Sequence, residues 1–326
     1  MKTAIIGCGL IGEKRAKVLK KHELVITADI NLNRAEYISR TYGNSSIFTD
    51  NWKEAAGHPE VELVIVATTN NLLKTIGNFS LENGKHVLIE KPAAVSSEEI
   101  KSFYEDSLKS NRKVKVGFNH RYHPAIKKAK EIFESGDIGK PMFIRGRYGH
   151  GGRIGYDDEW RSKKEISGGG ELIDQGVHLI DLSRWFLGEF EYVRGFTNTY
   201  YWNMDVEDNA FLELRTKENL TAWLHASCSE WKNMFSFEIY GRNGKLHIEG
   251  LGGSYGTEKL SYYKMLPEMG PPETYIWEYP GDDKSWKSEY DDFLNCISKG
   301  EKINGNLYDA YKSLEIVDKV YFMNKK

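Results

Sequence analysis

The sequence is poor in cysteine, has no charge excess of either sign and lacks any long apolar run. Three cysteines, Cys8, Cys228 and Cys296, stand in 326 residues. So few exclude a disulfide framework, and their spacing is not that of metal ligands. Reduced thiols of a cytoplasmic protein are the simplest reading. Lys plus Arg number 45 against 47 Asp plus Glu, a net charge of −2, which leaves no basic excess for nucleic acid. The run Leu63–Ala67 falls far short of the roughly 20 residues that span a bilayer. Glycines interrupt the apolar N-terminal stretch and no small-residue cleavage site follows, so it reads as a buried strand and not as a signal peptide. Neither an internal repeat nor a low-complexity tract is visible.

What remains is average for a globular chain, 40% hydrophobic and 28% charged, of a length for about two domains. The first 120 residues alternate short apolar runs (Thr3–Ile6, Leu24–Asp29, Leu63–Thr68, His86–Glu90, Val114–Phe118) with amphipathic stretches (Glu13–Lys20, Arg34–Tyr42, Leu72–Asn83, Ser97–Ser110). That alternation predicts βαβ units on a parallel sheet. Ser96 followed by Glu98 and Glu99 marks a helix start. From residue 121 the pattern changes. A helix opens at His123-Pro124, a strand at Pro141, and a glycine-rich charged loop leads to a helix over 170–187. Strand after strand then runs to Tyr279, with a hairpin turn at Gly241-Arg242-Asn243-Gly244, and two helices close the chain. The expected architecture is α/β: a Rossmann dinucleotide-binding domain over 1–120, and over 121–326 an α+β domain with a large, mostly antiparallel open sheet. The C-terminal helices are free to pack back on the first domain.

Gly7-Cys8-Gly9-Leu10-Ile11-Gly12 fits G-x-G-x-x-G and stands where the dinucleotide fingerprint requires it, between the first strand and the first helix. Gly7 permits the tight turn, Gly9 lets a pyrophosphate approach the backbone, and Gly12 lets helix and strand pack. The helix N-terminus supplies N–H groups for the phosphates. Asp29 ends the second strand 17 residues beyond Gly12, close to the spacing of an acid that binds the ribose hydroxyls. Its carboxylate repels a 2′-phosphate, so NAD is favoured over NADP, with Arg34 the one cation nearby. Glu90-Lys91-Pro92 follows the strand His86–Glu90, at the carboxyl end where open α/β sheets bind ligands.

Together with a later Asp-x-Gly-x-His (Asp174 to His178 carries it as Asp-Gln-Gly-Val-His) these motifs resemble the Gfo/Idh/MocA oxidoreductases, the family of glucose–fructose oxidoreductase and inositol dehydrogenase. The resemblance covers the whole chain. Thr68-Thr69-Asn70 and Gly117-Phe118-Asn119 look like the family's strand-end segments on the nicotinamide side, although many members have proline at Thr69 and histidine at Leu73. The resemblance implies a bound NAD or NADP, a homo-oligomer (dimer or tetramer), and roles for Lys91, Asp174 and His178 in catalysis. Cofactor contacts are expected from Gly7, Gly9, Leu10, Ile11, Gly12, Asp29, Arg34, Thr68, Thr69, Asn70, Glu90, Lys91 and Asn119. Substrate contacts are expected from Lys91, Asn119, Arg121, Trp160, Arg161, Asp174 and His178.

On an α-helix Asp174 and His178 lie about 40° apart on one face, and Gly176 between them removes bulk where a ligand could approach. Oxidation of a secondary alcohol needs a base for the hydroxyl proton, which suits histidine. Lys91 is expected to stabilise the alkoxide or relay the proton. Asp181 reads as structural. Arg145, Arg147, Arg153 and Arg161 surround His150-Gly151-Gly152 and could grip an anionic substrate group. His120 and His123 form H-x-x-H with no third ligand, so no metal is expected. The expected activity is an NAD(P)-dependent dehydrogenase acting on a hydroxyl of a sugar, cyclitol or sugar nucleotide. The alternatives are an NAD-sensing regulatory protein on the same fold and a redox-neutral sugar enzyme that recycles its NAD.

Overall fold

The computed structural model describes residues 1–268 and 270–324, in two compact units. The first comprises Met1–Phe118, Glu165–Gly168 and Trp286–Leu314; the second comprises Asn119–Lys164, Gly169–Ser285 and the stretch from Glu315 on. The chain thus passes between units several times, where its sequence suggested one boundary after residue 120.

The first unit begins β1 (Thr3–Ile6), α1 (Leu10–Lys17), β2 (Leu24–Ala28), α2 (Leu32–Tyr42), β3 (Ile47–Thr49), α3 (Trp52–Gly57), β4 (Leu63–Val66), α4 (Asn70–Glu82), β5 (His86–Glu90), α5 (Ser97–Leu108) and β6 (Val114–Gly117). Its strands form one parallel sheet in the order β3-β2-β1-β4-β5-β6. Every residue of β1, β4 and β5 is buried, as central strands covered on both faces must be. The strand order reverses at β1, and the crevice for a ligand opens at the carboxyl ends there. Ser96 caps α5 by accepting from the Glu99 N–H, and the Glu99 carboxylate accepts in return from Val95 N.

The second unit contains α6 (Pro124–Ser135) and β7 (Pro141–Gly149). The four-residue α7 (Lys164–Ser167) follows, with all but Lys164 belonging to the first unit, and the second unit resumes with a π-turn (Leu172–Gly176) that runs into α8 (Val177–Leu187). Seven strands come next: β8 (Phe190–Asn198), β9 (Asn209–Thr216), β10 (Thr221–Ser227), β11 (Met234–Gly241), β12 (Gly244–Glu249), β13 (Glu258–Lys264) and β14 (Glu273–Tyr279). The sheet order is β14-β13-β12-β11-β7-β10-β9-β8, antiparallel throughout except for β7 with β10. Burial alternates along β11 and β12. One face is covered by α6 and α8; the other carries exposed Trp223 and Phe196. Arg145 and Arg147 lie on β7, pointing to the open face, where they pair with Glu238 and Glu230.

Two helices complete the chain, α9 (Ser285–Lys299) and α10 (Leu307–Met323). From α9, Tyr290, Phe293 and Cys296 enter the first unit's core with Ile5, Leu63, Ile65 and Leu88. Lys115 of β6, fully buried, donates to the Asn304 carbonyl. These contacts are why residues 286–314 belong to that unit. Among the described residues no helix is long and apolar enough to cross a membrane.

Candidate active site

The nucleotide side is built by backbone. Gly7 has φ +91° and its N–H donates to the Ala28 carbonyl at 2.8 Å. A Cβ there would lie 2.4 Å from the Ala67 oxygen, and one at Gly12 would lie 2.0 Å from the Gly7 oxygen. Around Gly9, by contrast, nothing comes within 4 Å of a Cβ position. Gly9 caps α1 without a side-chain hydrogen bond, so the first-turn N–H groups, from Leu10, Ile11 and Gly12, are available to an anion. Asp29 accepts from Cys8 N at 2.7 Å and from Asn31 N at 2.8 Å, which fixes its carboxylate at the end of β2. Arg34 lies exposed on α2. An open glycine, an uncapped helix start and a pinned acid at the sheet's switch point fit a dinucleotide.

Among the expected cofactor side chains, Asn70, Thr69 and Glu90 have partners within the protein. The Asn70 amide donates to the Ser167 carbonyl at 2.8 Å. Thr69 hydrogen-bonds Asn71, beside half-buried Thr68. Glu90 is buried against the Arg15 guanidinium at 2.6 Å, so its carboxylate serves the interior and not the cofactor. Half-buried Lys91 follows it at the carboxyl end of β5, and the Lys91–Pro92 peptide is cis.

In the second unit Asp174 lies within the π-turn and His178 at the start of α8. The expectation of one continuous α-helix fails there. The π-turn's i→i+5 bonding changes the angular step between the two residues, and such turns recur at functional sites. Gly176 is buried against Leu172 and Ala226, so it admits β10 and not a ligand. Glu207 anchors the segment. Its carboxylate accepts from Gly170 N, Leu172 N and the Tyr321 hydroxyl at 3.1, 3.0 and 2.7 Å, and its carbonyl accepts from Glu171 N. A Cβ on Gly170 would lie 1.9 Å from that carbonyl oxygen, which accounts for glycine at this position.

Arg161 pairs with Asp174 at 3.3 Å, and its guanidinium lies 4.5 Å from the centre of the Trp160 ring. Trp160, Arg161 and Asp174 are all partly exposed and together offer a charged, planar surface. His178 is buried and stacked on His120, ring centres 3.8 Å apart. Glu171 accepts from the Tyr156 hydroxyl at 2.9 Å. Burial, with the charge of Asp174 second, pushes its carboxyl well above the ordinary range. Both Asp181 oxygens hold the buried Arg121 guanidinium, at 2.6 and 2.8 Å. The Asn119 amide is spent on Ser285 and His120. Glu171, Glu207, Tyr156 and Tyr321 were not singled out from sequence; of these only Glu171 adjoins a motif.

Residues 1–118 match the model of the oxidoreductase family with an NAD-binding Rossmann fold. Residues 126–247 match that of the GFO/IDH/MocA C-terminal domain. A levoglucosan dehydrogenase of Pseudarthrobacter phenanthrenivorans is 26% identical over 90% of this chain and 86% of its own. The scyllo-inositol 2-dehydrogenase (NAD(+)) of Bacillus subtilis is 26% identical over 97% and 92%. A solved levoglucosan dehydrogenase in complex with NADH superposes with a TM-score of 0.88 at 24% identity, covering 98% of this chain and 95% of that one, a likeness of fold. Both halves therefore match one family in the order the glycine loop, Glu-Lys-Pro and Asp-x-Gly-x-His demand, and the chain belongs to the Gfo/Idh/MocA oxidoreductases.

Proposed function

We propose that this oxidoreductase transfers hydride between NAD and a secondary hydroxyl of a sugar or cyclitol, with His178 as the base. The observation that carries this reading is the arrangement in the second unit, where the buried imidazole of His178 directly follows the π-turn that carries Asp174, itself paired with Arg161 beside Trp160. The activities of the relatives, a levoglucosan dehydrogenase and a scyllo-inositol 2-dehydrogenase, support the substrate class. When bound, NAD supplies the hydride acceptor. Asp29, held by two backbone N–H groups, favours ribose hydroxyls over a 2′-phosphate.

The chain's own residues handle the proton and the fit. His178 takes the hydroxyl proton on a ring nitrogen, the role for which imidazole is suited. The Lys91 ammonium stabilises the oxygen as negative charge develops on it. Asp174 accepts from a neighbouring hydroxyl while Arg161 holds its carboxylate in place. Trp160 offers an apolar face to the ring of a polyol.

A panel of levoglucosan, scyllo-inositol, glucose 6-phosphate and nucleotide sugars, with NAD+ and NADP+ and with product and NADH measured together, tests the reading. Turnover of at least one polyol with NAD+, with NADH equal to product, is expected. Tight NADH binding with no turnover of any member would contradict it, and product without NADH would point to internal recycling of the cofactor.

A further inference from the structure

The His120-x-x-His123 pair is left over from the sequence, and the fold gives its first member a place. His120 lies flat on His178, ring centres 3.8 Å apart and planes 23° from parallel. A chain of hydrogen bonds sets which nitrogen carries its proton. The Ser285 hydroxyl donates to the Asp283 carboxylate at 2.6 Å. Ser285 must then accept from the Asn119 Nδ2 at 2.9 Å, which leaves the Asn119 Oδ1 to accept from the His120 Nδ1 at 3.2 Å. An amide has one donor end and one acceptor end, so the Asp283 carboxylate fixes the direction of every bond and the proton sits on Nδ1 of His120.

We propose that His120 is a positioning residue for His178: its stacked, neutral ring holds the imidazole in place and stabilises the imidazolium formed when His178 takes a proton. A cation over an aromatic face is attracted to it. Two imidazolium rings in that stack would repel each other, so the pair carries one charge.

The groups that face His120 are few. His123 meets it edge-on at 5.6 Å and is itself held by the Glu258 carboxylate at 2.8 Å. Tyr148 of β7 and Phe235 of β11 close the other sides. Neighbouring Arg121 is neutralised by Asp181. Asp283 acts through Ser285 and Asn119, and it also approaches His123 at 4.0 Å. Asp174 is the acid four residues ahead of His178 in the chain.

The inference rests on the reading of His178 as the base, but its test is spectroscopic, so the two can fail separately. The full-length protein is saturated with NAD+ and the His178 imidazole is titrated by nitrogen NMR, with His178→Gln assigning the signal. His120→Leu keeps volume without a π face, and His120→Phe keeps the π face without the hydrogen bond. The expected result is a midpoint lowered by about one pH unit in H120L and by less than half of that in H120F. Equal shifts in the two variants, or none in either, would overturn the proposal. Circular dichroism screens for folding; should H120L unfold, His120→Gln, which has no ring, replaces it under the same criterion. If the titration behaves as expected while His178→Ala retains turnover, the stack stands and the base assignment falls.

Discussion

Replacing His178 by alanine lowers kcat by about 10²- to 10⁴-fold with NADH affinity unchanged. That range is what a positioned proton acceptor contributes, equivalent to about 3–5 kcal/mol of barrier. The imidazole is buried and stacked on His120, so the variant removes a base without exposing a surface. NADH binding, followed by its fluorescence, isolates the chemical step, because the residues proposed to cradle the cofactor, Gly7, Gly9, Gly12 and Asp29, lie in the other unit. Near-normal turnover by the variant would show that another group takes the proton.

Replacing Arg15 by methionine destabilises the nucleotide-binding unit by about 3–5 kcal/mol, the usual consequence of removing one partner of a buried ion pair. Arg15 is wholly buried between Glu90 and Glu289, at 2.6 and 2.7 Å, with its guanidinium 4.5 Å from the Trp286 ring centre. Gly117 leaves room for the pair, since a Cβ there would lie 2.8 Å from both the Arg15 and the Glu90 side-chain tips. The loss depends on pH in a definite direction. Burial already raises the Glu289 carboxyl above its ordinary range, against the pull of Arg15. A carboxyl raised in the folded state contributes fully below its unfolded pKa, and that contribution is lost as pH rises toward the folded pKa. Without Arg15 the Glu289 carboxyl rises further, so the variant is closer to wild type at about pH 5 than at about pH 8. Urea unfolding followed by Trp52 and Trp286 fluorescence measures this. A deficit that grows on acidification would show that the carboxyls are not the cause.

The difference between what was readable and what was not follows sequence distance. β1 and β5 were delimited to the residue, because continuous apolar runs ending in Gly7 or in Glu90-Lys91-Pro92 mark buried parallel strands. β3 was missed: three residues, one exposed and two half-buried, carry no periodicity. The glycine loop was readable because its chemistry is local. The π-turn was not, since a helical pattern of apolar residues does not reveal one extra residue in a turn. The Arg121–Asp181 pair was not legible either, because its partners stand 60 residues apart. Glu207 and Tyr321, 114 residues apart, leave no trace that spacing can detect. Glu90 belonged to a recognised motif, yet its partners Arg15 and Glu289 come from the two ends of the chain, and only the fold brings them together.

The central claim of the proposed function is that His178 takes the proton of the substrate hydroxyl. A crystal structure of the protein with NAD+ and whichever polyol of the panel turns over tests it most directly. The account predicts one substrate hydroxyl within about 3 Å of a His178 ring nitrogen, with the pyrophosphate against Gly9. A substrate with no hydroxyl bonded to His178, or a pyrophosphate bound away from the glycine loop, would contradict it.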